Sequence, residues 1–350
     1  MNNALKKRTI YFDLLRIFAT FSVVILHTAS FRWHDVDVKS FEWNVFNFYD
    51  SIVRWTVPVF VMISGALMLN KDRSIKDLLK KNVLRMALAF LFWSSIYSLI
   101  KAFNGNDINY IIPYFIRGNY HLWFLNMIVG LYLLTPFLRK IVENESLTKY
   151  FLFLAIILNI GLPYIVQILS FFYPDASSLM KKTVDSFHMK TVLGYTVYYV
   201  LGYYLNTHKI DKKSLITIII LGLLGFIMTI GLTLVASLYT NKHYTEFYGN
   251  FTLNVFLESI FVFTVFKAIF ENKEFSTKFT NILYKISKYS FGIYLVHALI
   301  IDKLSSHFKI NALLFNQIIS VPVLAIVVFV ISLIISAIIN HIPKVKNFIV

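Results

Sequence analysis

The amino-acid sequence predicts an all-α, polytopic integral membrane protein with about ten transmembrane helices and both termini in the cytoplasm. Three observations carry that prediction. The 350 residues are 57% hydrophobic with a mean hydropathy of +0.66, more apolar than an ordinary soluble domain. The apolar residues gather into runs of membrane-crossing length. Lysine and arginine fall in every second connection between those runs.

The runs lie near 10–30, 48–69, 83–102, 121–138, 150–172, 191–206, 214–239, 250–270, 286–303 and 311–341. The sixth and ninth are short, and losing either as a span would invert the orientation of everything after it. The basic residues argue for ten. Lys6, Lys7 and Arg8 precede the first run, and Lys71, Arg73, Lys76, Lys80, Lys81 and Arg85 follow the second. Further groups stand at 139–149, 209–213, 267–288 and 344–346. On this reading 22 of the 34 Lys and Arg share one side, the side the positive-inside rule makes cytoplasmic. The whole chain, 1–350, reads as one membrane domain with no soluble second domain. The first run contains its own charges and lacks a small-residue cleavage site, so it reads as a span and not as a leader.

The formal charge of +16 is spread over short connections and builds no solvated basic domain, so nucleic acid is not an expected partner, whereas membrane lipid is. With no cysteine, thiolate chemistry is excluded, and a base or nucleophile must be His, Ser, Thr, Tyr or a carboxylate. No His-x-x-x-His pair or carboxylate cluster supplies three ligands, and no metal site is expected.

The first run, Tyr11 to Ser30, is the most informative. Asp13, Arg16 and His27 sit inside an otherwise apolar helix, where ionisable groups are costly and commonly functional. At ~100° per residue the three lie within about 60° of one another, and at ~1.5 Å per residue Arg16 and His27 stand roughly 16 Å apart along the axis. One helix face therefore carries a cation near one membrane surface and an imidazole past mid-membrane. The bland alternative is a polar pair joining helices, or an arginine reaching back to the interface.

Other polar positions have two readings each. Ser64-Gly65 in the second run either lets another backbone approach or leaves room for a ligand. Asp50 and Arg54, four apart, read as a local ion pair. The cluster ending at Lys81 and Arg85 is a topology determinant or a phosphate-binding mouth. Glu258 and His297, buried in consecutive runs, either satisfy each other across the helices or have separate roles. The outer connections 31–47 and 173–190 hold Trp33, His34, Asp35, Asp37, Trp43, Asp175, Asp185 and His188. They are plain interfacial loops or the mouth of a sugar site, where rings stack on sugar faces and carboxylates accept hydroxyl protons.

Several segments resemble one known family. Tyr11-Phe12-Asp13-Leu14-Leu15-Arg16 with His27 eleven residues on is similar to the signature of the membrane acyltransferase-3 family, and Phe60 to Gly65 resembles its F-x-x-SG element. His121-Leu122-Trp123-Phe124-Leu125, continuing to Pro136, is similar to the O-acetyltransferase branch that includes the enzyme acting on enterobacterial common antigen. Ser290 to His297 resembles the family's late S-x-x-x-YLxH segment. Arg85 matches the second arginine of a family Arg-x-x-Arg, but Asn82 stands where the first would be, with Lys81 beside it. These matches occur in order over most of the chain.

The resemblance implies transfer of an acyl group, acetyl first, from cytoplasmic acyl-CoA as donor substrate to a hydroxyl of an envelope glycan or lipid-linked sugar in a bacterial cell membrane. His27 would be the base or a transient acyl carrier, and Arg16, with Asp13, would hold the donor or the developing charge. Arg85, Lys81, Ser64 and Gly65 would accept the donor, and His121, Trp123, Glu258 and His297 are further candidates for substrate contact or structure. No permanently bound cofactor is implied. The alternative is a carrier of a lipid-linked or acylated saccharide without chemistry. The acceptor and the oligomeric state are not legible in the sequence.

Overall fold

The computed structural model describes residues 10–103, 105, 107–186, 188 and 193–342. Lys6, Lys7, Arg8, Lys344 and Lys346 lie outside them, as does the side chain of Asp175. All regular elements among the described residues are helical. In chain order they are α1 (Ile10–Ser30), α2 (Phe41–Ser51), α3 (Thr56–Leu69), α4 (Ile75–Leu78), α5 (Leu84–Phe103), α6 (Ile108–Arg117), α7 (Trp123–Val142) and α8 (Glu145–Ile156). There follow α9 (Leu162–Phe172), α10 (Pro174–Ser186), α11 (Thr196–Thr207), α12 (Lys212–Thr240), α13 (Leu253–Phe270), α14 (Thr277–Ser306) and α15 (Gln317–His341).

Short polar side chains start many of these helices by accepting orphan backbone N–H groups: Ser40, Ser74, Asp107, Asn144, Asp211, Ser276 and Asn316. Helices α2 and α3 form one pass interrupted over 52–55. Pro58 explains the interruption, because a proline four residues on cannot donate to the Arg54 carbonyl. Helices α4 and α5, and likewise α8 and α9, run together through single π turns at Leu79–Val83 and Ile157–Gly161.

Contacts between distant segments define two ends of the bundle. At one end Arg139 donates to the carbonyls of Arg73 (2.9 Å) and Met68 (3.0 Å), Lys267 to those of Leu205, Asn206 (both 2.8 Å) and His208 (2.9 Å), and Ser336 to that of Tyr289 (3.1 Å). These bonds gather the basic connections 70–85, 139–149, 205–213 and 267–288. At the other end His243 bonds the Val36 carbonyl (2.8 Å), Tyr49 that of Ile318 (2.7 Å), and Arg32 the hydroxyl of Ser305 (3.1 Å). Between the ends the helical stretches of the described residues fall on the ten expected runs.

Eight helical stretches among the described residues are long and apolar enough to cross a membrane. The two expected runs that are not among them are the sixth and ninth. The sixth, α11, has only 12 residues, too short to span hydrocarbon alone. Its residues Thr196 to Gly202 are all buried, so it meets protein and not lipid, and Lys267 caps its last carbonyls. The ninth, α14, is 30 residues long but carries Lys278, Lys285 and Lys288 in one half and Asp302 and Lys303 in the other. It packs between α1 and α15. By contrast, α15 turns Ile326, Val330, Ile334 and Ile338 outward at four-residue spacing, a lipid-facing stripe.

Candidate active site

Arg16 and His27 face one cavity of about 730 Å³, as the helical spacing requires. Helices α1, α3, α5, α7 and α14 enclose it, and it runs from Arg16, Arg85 and Lys288 at the basic end to His27, Arg54 and His121 at the other.

At the basic end Arg16 is held in place by its neighbours. Ser287 donates to Asp13 Oδ1 (2.6 Å) and accepts from Arg16 Nη1 (3.3 Å), while Arg16 lies 3.8 Å from Asp13. Asp13 is buried behind the cavity wall and is not among its lining residues, and it meets the chamber through Ser287 and Arg16. The Arg85 guanidinium lies 5.5 Å from the Phe291 ring centroid and lines the same end.

Two of the expected donor-site residues are elsewhere. Lys81 pairs with Asp77 (3.1 Å) on the surface, its side chain 69% exposed, because it sits on the π turn that carries it away from the bundle. Lys288 supplies the cation facing the cavity instead. Gly65 turns its back on the cavity: a Cβ there would overlap the Tyr199 carbonyl, and one at Gly202 would overlap that of Met62. This is the close backbone approach of α3 and α11. Ser64, one residue earlier, does line the cavity and bonds back to the Phe60 carbonyl (2.9 Å).

At the far end three imidazoles converge. The His27 and His297 rings stack with centroids 5.2 Å apart, His121 stands edge-on to His297 at 5.2 Å, and Tyr120 meets His27 at 5.0 Å. His297 donates from Nδ1 to the Tyr294 carbonyl (2.6 Å), leaving Nε2 as its acceptor. The Asn119 carboxamide oxygen accepts from the Tyr114 hydroxyl (2.7 Å), so its amide NH₂ donates to His121 Nδ1 (3.3 Å), which puts the His121 proton on Nε2. Trp123 lines the cavity beside them.

A second cavity of about 600 Å³ lies toward the non-basic end, lined by Phe31, Trp33, His34 and Tyr120. It shares Leu26, His27, Arg54, Tyr248 and Gly249 with the first. The imidazole of His27 therefore stands between two chambers. Arg54, Tyr248 and Lys288 are the site residues that sequence reading missed. An Asp-x-x-x-Arg spacing looks the same beside a cavity as on a plain helix, although Pro58 marks the break at Arg54.

Glu258 belongs to a different cluster. Thr229 donates to its Oε1 and receives a hydrogen bond from Asn254 Nδ2 (2.8 Å). The expected pairing of Glu258 with His297 is not formed, because α13 packs against α12, α3 and α1, whereas α14 packs with α1 and α15. Although consecutive in the chain, α13 and α14 are not packed against each other.

An all-helical, multi-pass membrane protein with cations at one end of an internal chamber and histidines at the other is the class these features define. The match to the acyltransferase-3 family model, described as an acyltransferase domain, extends over residues 9–341, and the chain belongs to that family. It is also similar to a protein described as an amino-acid racemase from Enterococcus faecalis, 29% identical over 155 residues, which covers 39% of this chain and 20% of that protein. The chain thus aligns with about one fifth of the length of that curated relative. No solved structure matches it.

Proposed function

We propose that the protein is an O-acyltransferase that takes an acyl group, acetyl first, from acyl-CoA at the basic end and delivers it to a hydroxyl of an envelope glycan or lipid-linked sugar at the other. The single observation that carries this reading is the position of His27. It lies at the far end of the chamber that begins at Arg16, Arg85 and Lys288, and at the inner wall of the second chamber. The three cations suit the phosphates of the donor, and the chamber between them and His27 suits an extended acyl-pantetheine arm. Phe31, Trp33, His34 and Tyr120 give the second chamber the mixed aromatic and polar walls that sugars stack on.

Chemically, His27 removes the proton of the acceptor hydroxyl as its oxygen attacks the thioester carbonyl. The tetrahedral intermediate then expels the thiolate, which takes that proton back from His27. Hydroxyl and thioester become ester and thiol with no net proton. By the positive-inside rule the basic end faces the cytoplasm, where acyl-CoA is made, and in a bacterium this membrane is the plasma membrane.

A carrier of saccharides is the second reading, because two chambers meeting at one residue also describe a transport path. Purified protein in lipid nanodiscs, given acetyl-CoA and an envelope glycan fraction, decides between them. Free thiol and an acetyl-sized mass increment on the glycan are expected. Saccharide movement across proteoliposomes with no thiol release would favour the carrier.

A further inference from the structure

Arg54 lies at the interruption of the second pass and, like His27, lines both chambers. It is gripped on two sides. Nη2 donates to Asp50 Oδ2, a carboxylate with no exposed surface, and the guanidinium carbon lies 3.9 Å from the Tyr248 ring centroid. Among the described residues Nη1 and Nε make no hydrogen bond. A guanidinium set between helices is stabilised by a counter-charge, and Asp50 supplies it without occupying the remaining donors. Arg16 cannot serve at this place, since eleven helical residues put it roughly 16 Å along the axis from His27.

Resting on the acyl-transfer reading above, we propose that Arg54 is a catalytic residue that receives the carbonyl oxygen of the thioester as it becomes an oxyanion, with Asp50 and Tyr248 as positioning residues. When the acceptor oxygen bonds to the carbonyl carbon, the C=O π pair moves onto that oxygen opposite the guanidinium, and His27 holds the hydroxyl proton. When the pair returns, the C–S bond breaks and the thiolate takes the proton. Arg54 exchanges no proton at any stage. A fixed cation stabilises such a charge without reorganising first, which is why oxyanion donors are commonly a large single contribution to rate.

The test measures donor affinity and acetyl transfer separately in nanodiscs for wild type, Arg54→Gln, Arg54→Lys and Asp50→Asn. Arg54→Gln should lower kcat by about 10²–10³ and leave the Kd for acetyl-CoA within about twofold. Asp50→Asn should give a smaller fall in kcat, with Kd again unchanged. If wild type turns over and Arg54→Gln keeps kcat within about threefold, or loses only donor affinity, Arg54 is not the oxyanion site while acyl transfer stands. Where Arg54→Gln does not accumulate, Arg54→Lys decides, because it keeps the charge but not the planar donor set. A tenfold fall in its kcat supports the assignment, and a kcat within about threefold of wild type overturns it. A wild-type protein that releases no thiol with any hydroxyl acceptor removes the acyl-transfer reading and this one with it.

Discussion

The rings of His27 and His297 lie 5.2 Å apart and 28° from parallel, on helices α1 and α14 that are far apart in sequence and adjacent in space. Only His27 lines the chambers, so the two should differ in kind when changed. His27→Gln is expected to lose at least about 10²-fold in transfer while still binding donor. His297→Gln, which keeps a hydrogen-bonding group behind the His27 ring, should lose about tenfold or less. Acetyl incorporation at matched membrane abundance checks both, and a His27→Gln protein near wild type would move the base elsewhere.

The basic end should govern donor affinity. Arg16→Ala, Arg85→Ala and Lys288→Ala are each expected to raise the KM for acyl-CoA by about tenfold, the size of one charge-assisted contact. Lys81→Ala, which removes only an exposed pair with Asp77, should leave KM where it was. A donor titration of the four variants separates them, and an effect of Lys81→Ala equal to the others would contradict the cavity geometry.

Glu258 and His297 occupy separate clusters, so their effects should add. The double variant Glu258→Gln/His297→Gln is expected to match the sum of the single losses within about 0.5 kcal/mol. A thermodynamic cycle on transfer rate measures this, and a coupling above about 1 kcal/mol would restore a direct link.

Gly65 and Gly202 bear on stability more than chemistry. A methyl at either meets the backbone of the facing helix, and overpacking of this kind costs about 1–3 kcal/mol. Gly65→Ala and Gly202→Ala should unfold at lower temperature in detergent, whereas Ser64→Ala, on the cavity side, should not. Thermal unfolding followed by fluorescence provides the comparison.

Orientation is tested with reporter fusions. Those after residues 75 and 145 should report cytoplasm, and those near 110 and 180 the outside. A cytoplasmic signal at 180 together with an external one at 210 would mean that α11 does not traverse.

Much of the fold was legible because crossing length and charge bias are properties of single segments. The Arg16–His27 face was legible for a related reason: one helix's geometry relates both residues with no knowledge of its neighbours. Legibility stopped where register between helices mattered. Ser64 and Gly65 differ by one step of rotation, yet one faces a cavity and the other a backbone. Lys81 and Lys288 are both lysines in basic connections, and only a π turn in one and the placement of α14 beside α1 in the other decide which meets the chamber. Pairing Glu258 with His297 assumed that α13 and α14 touch because they are consecutive, and α13 packs instead with α12 and α14 with α15.

The backbone contact between α3 and α11 has a mechanical consequence. At Gly65 and Gly202 each helix lies in a notch of the other, and sliding either along its axis would drive a neighbouring side chain into a carbonyl. The wall that carries Phe60 and Ser64 is thereby locked in register, and packed cores shift between discrete arrangements instead of yielding gradually. Rocking of one helical bundle past another, the motion by which many transporters expose a site alternately to each side, would have to break that lock. A wall held in this way suits a stationary vessel, in which small molecules enter from opposite mouths and the container itself stays still.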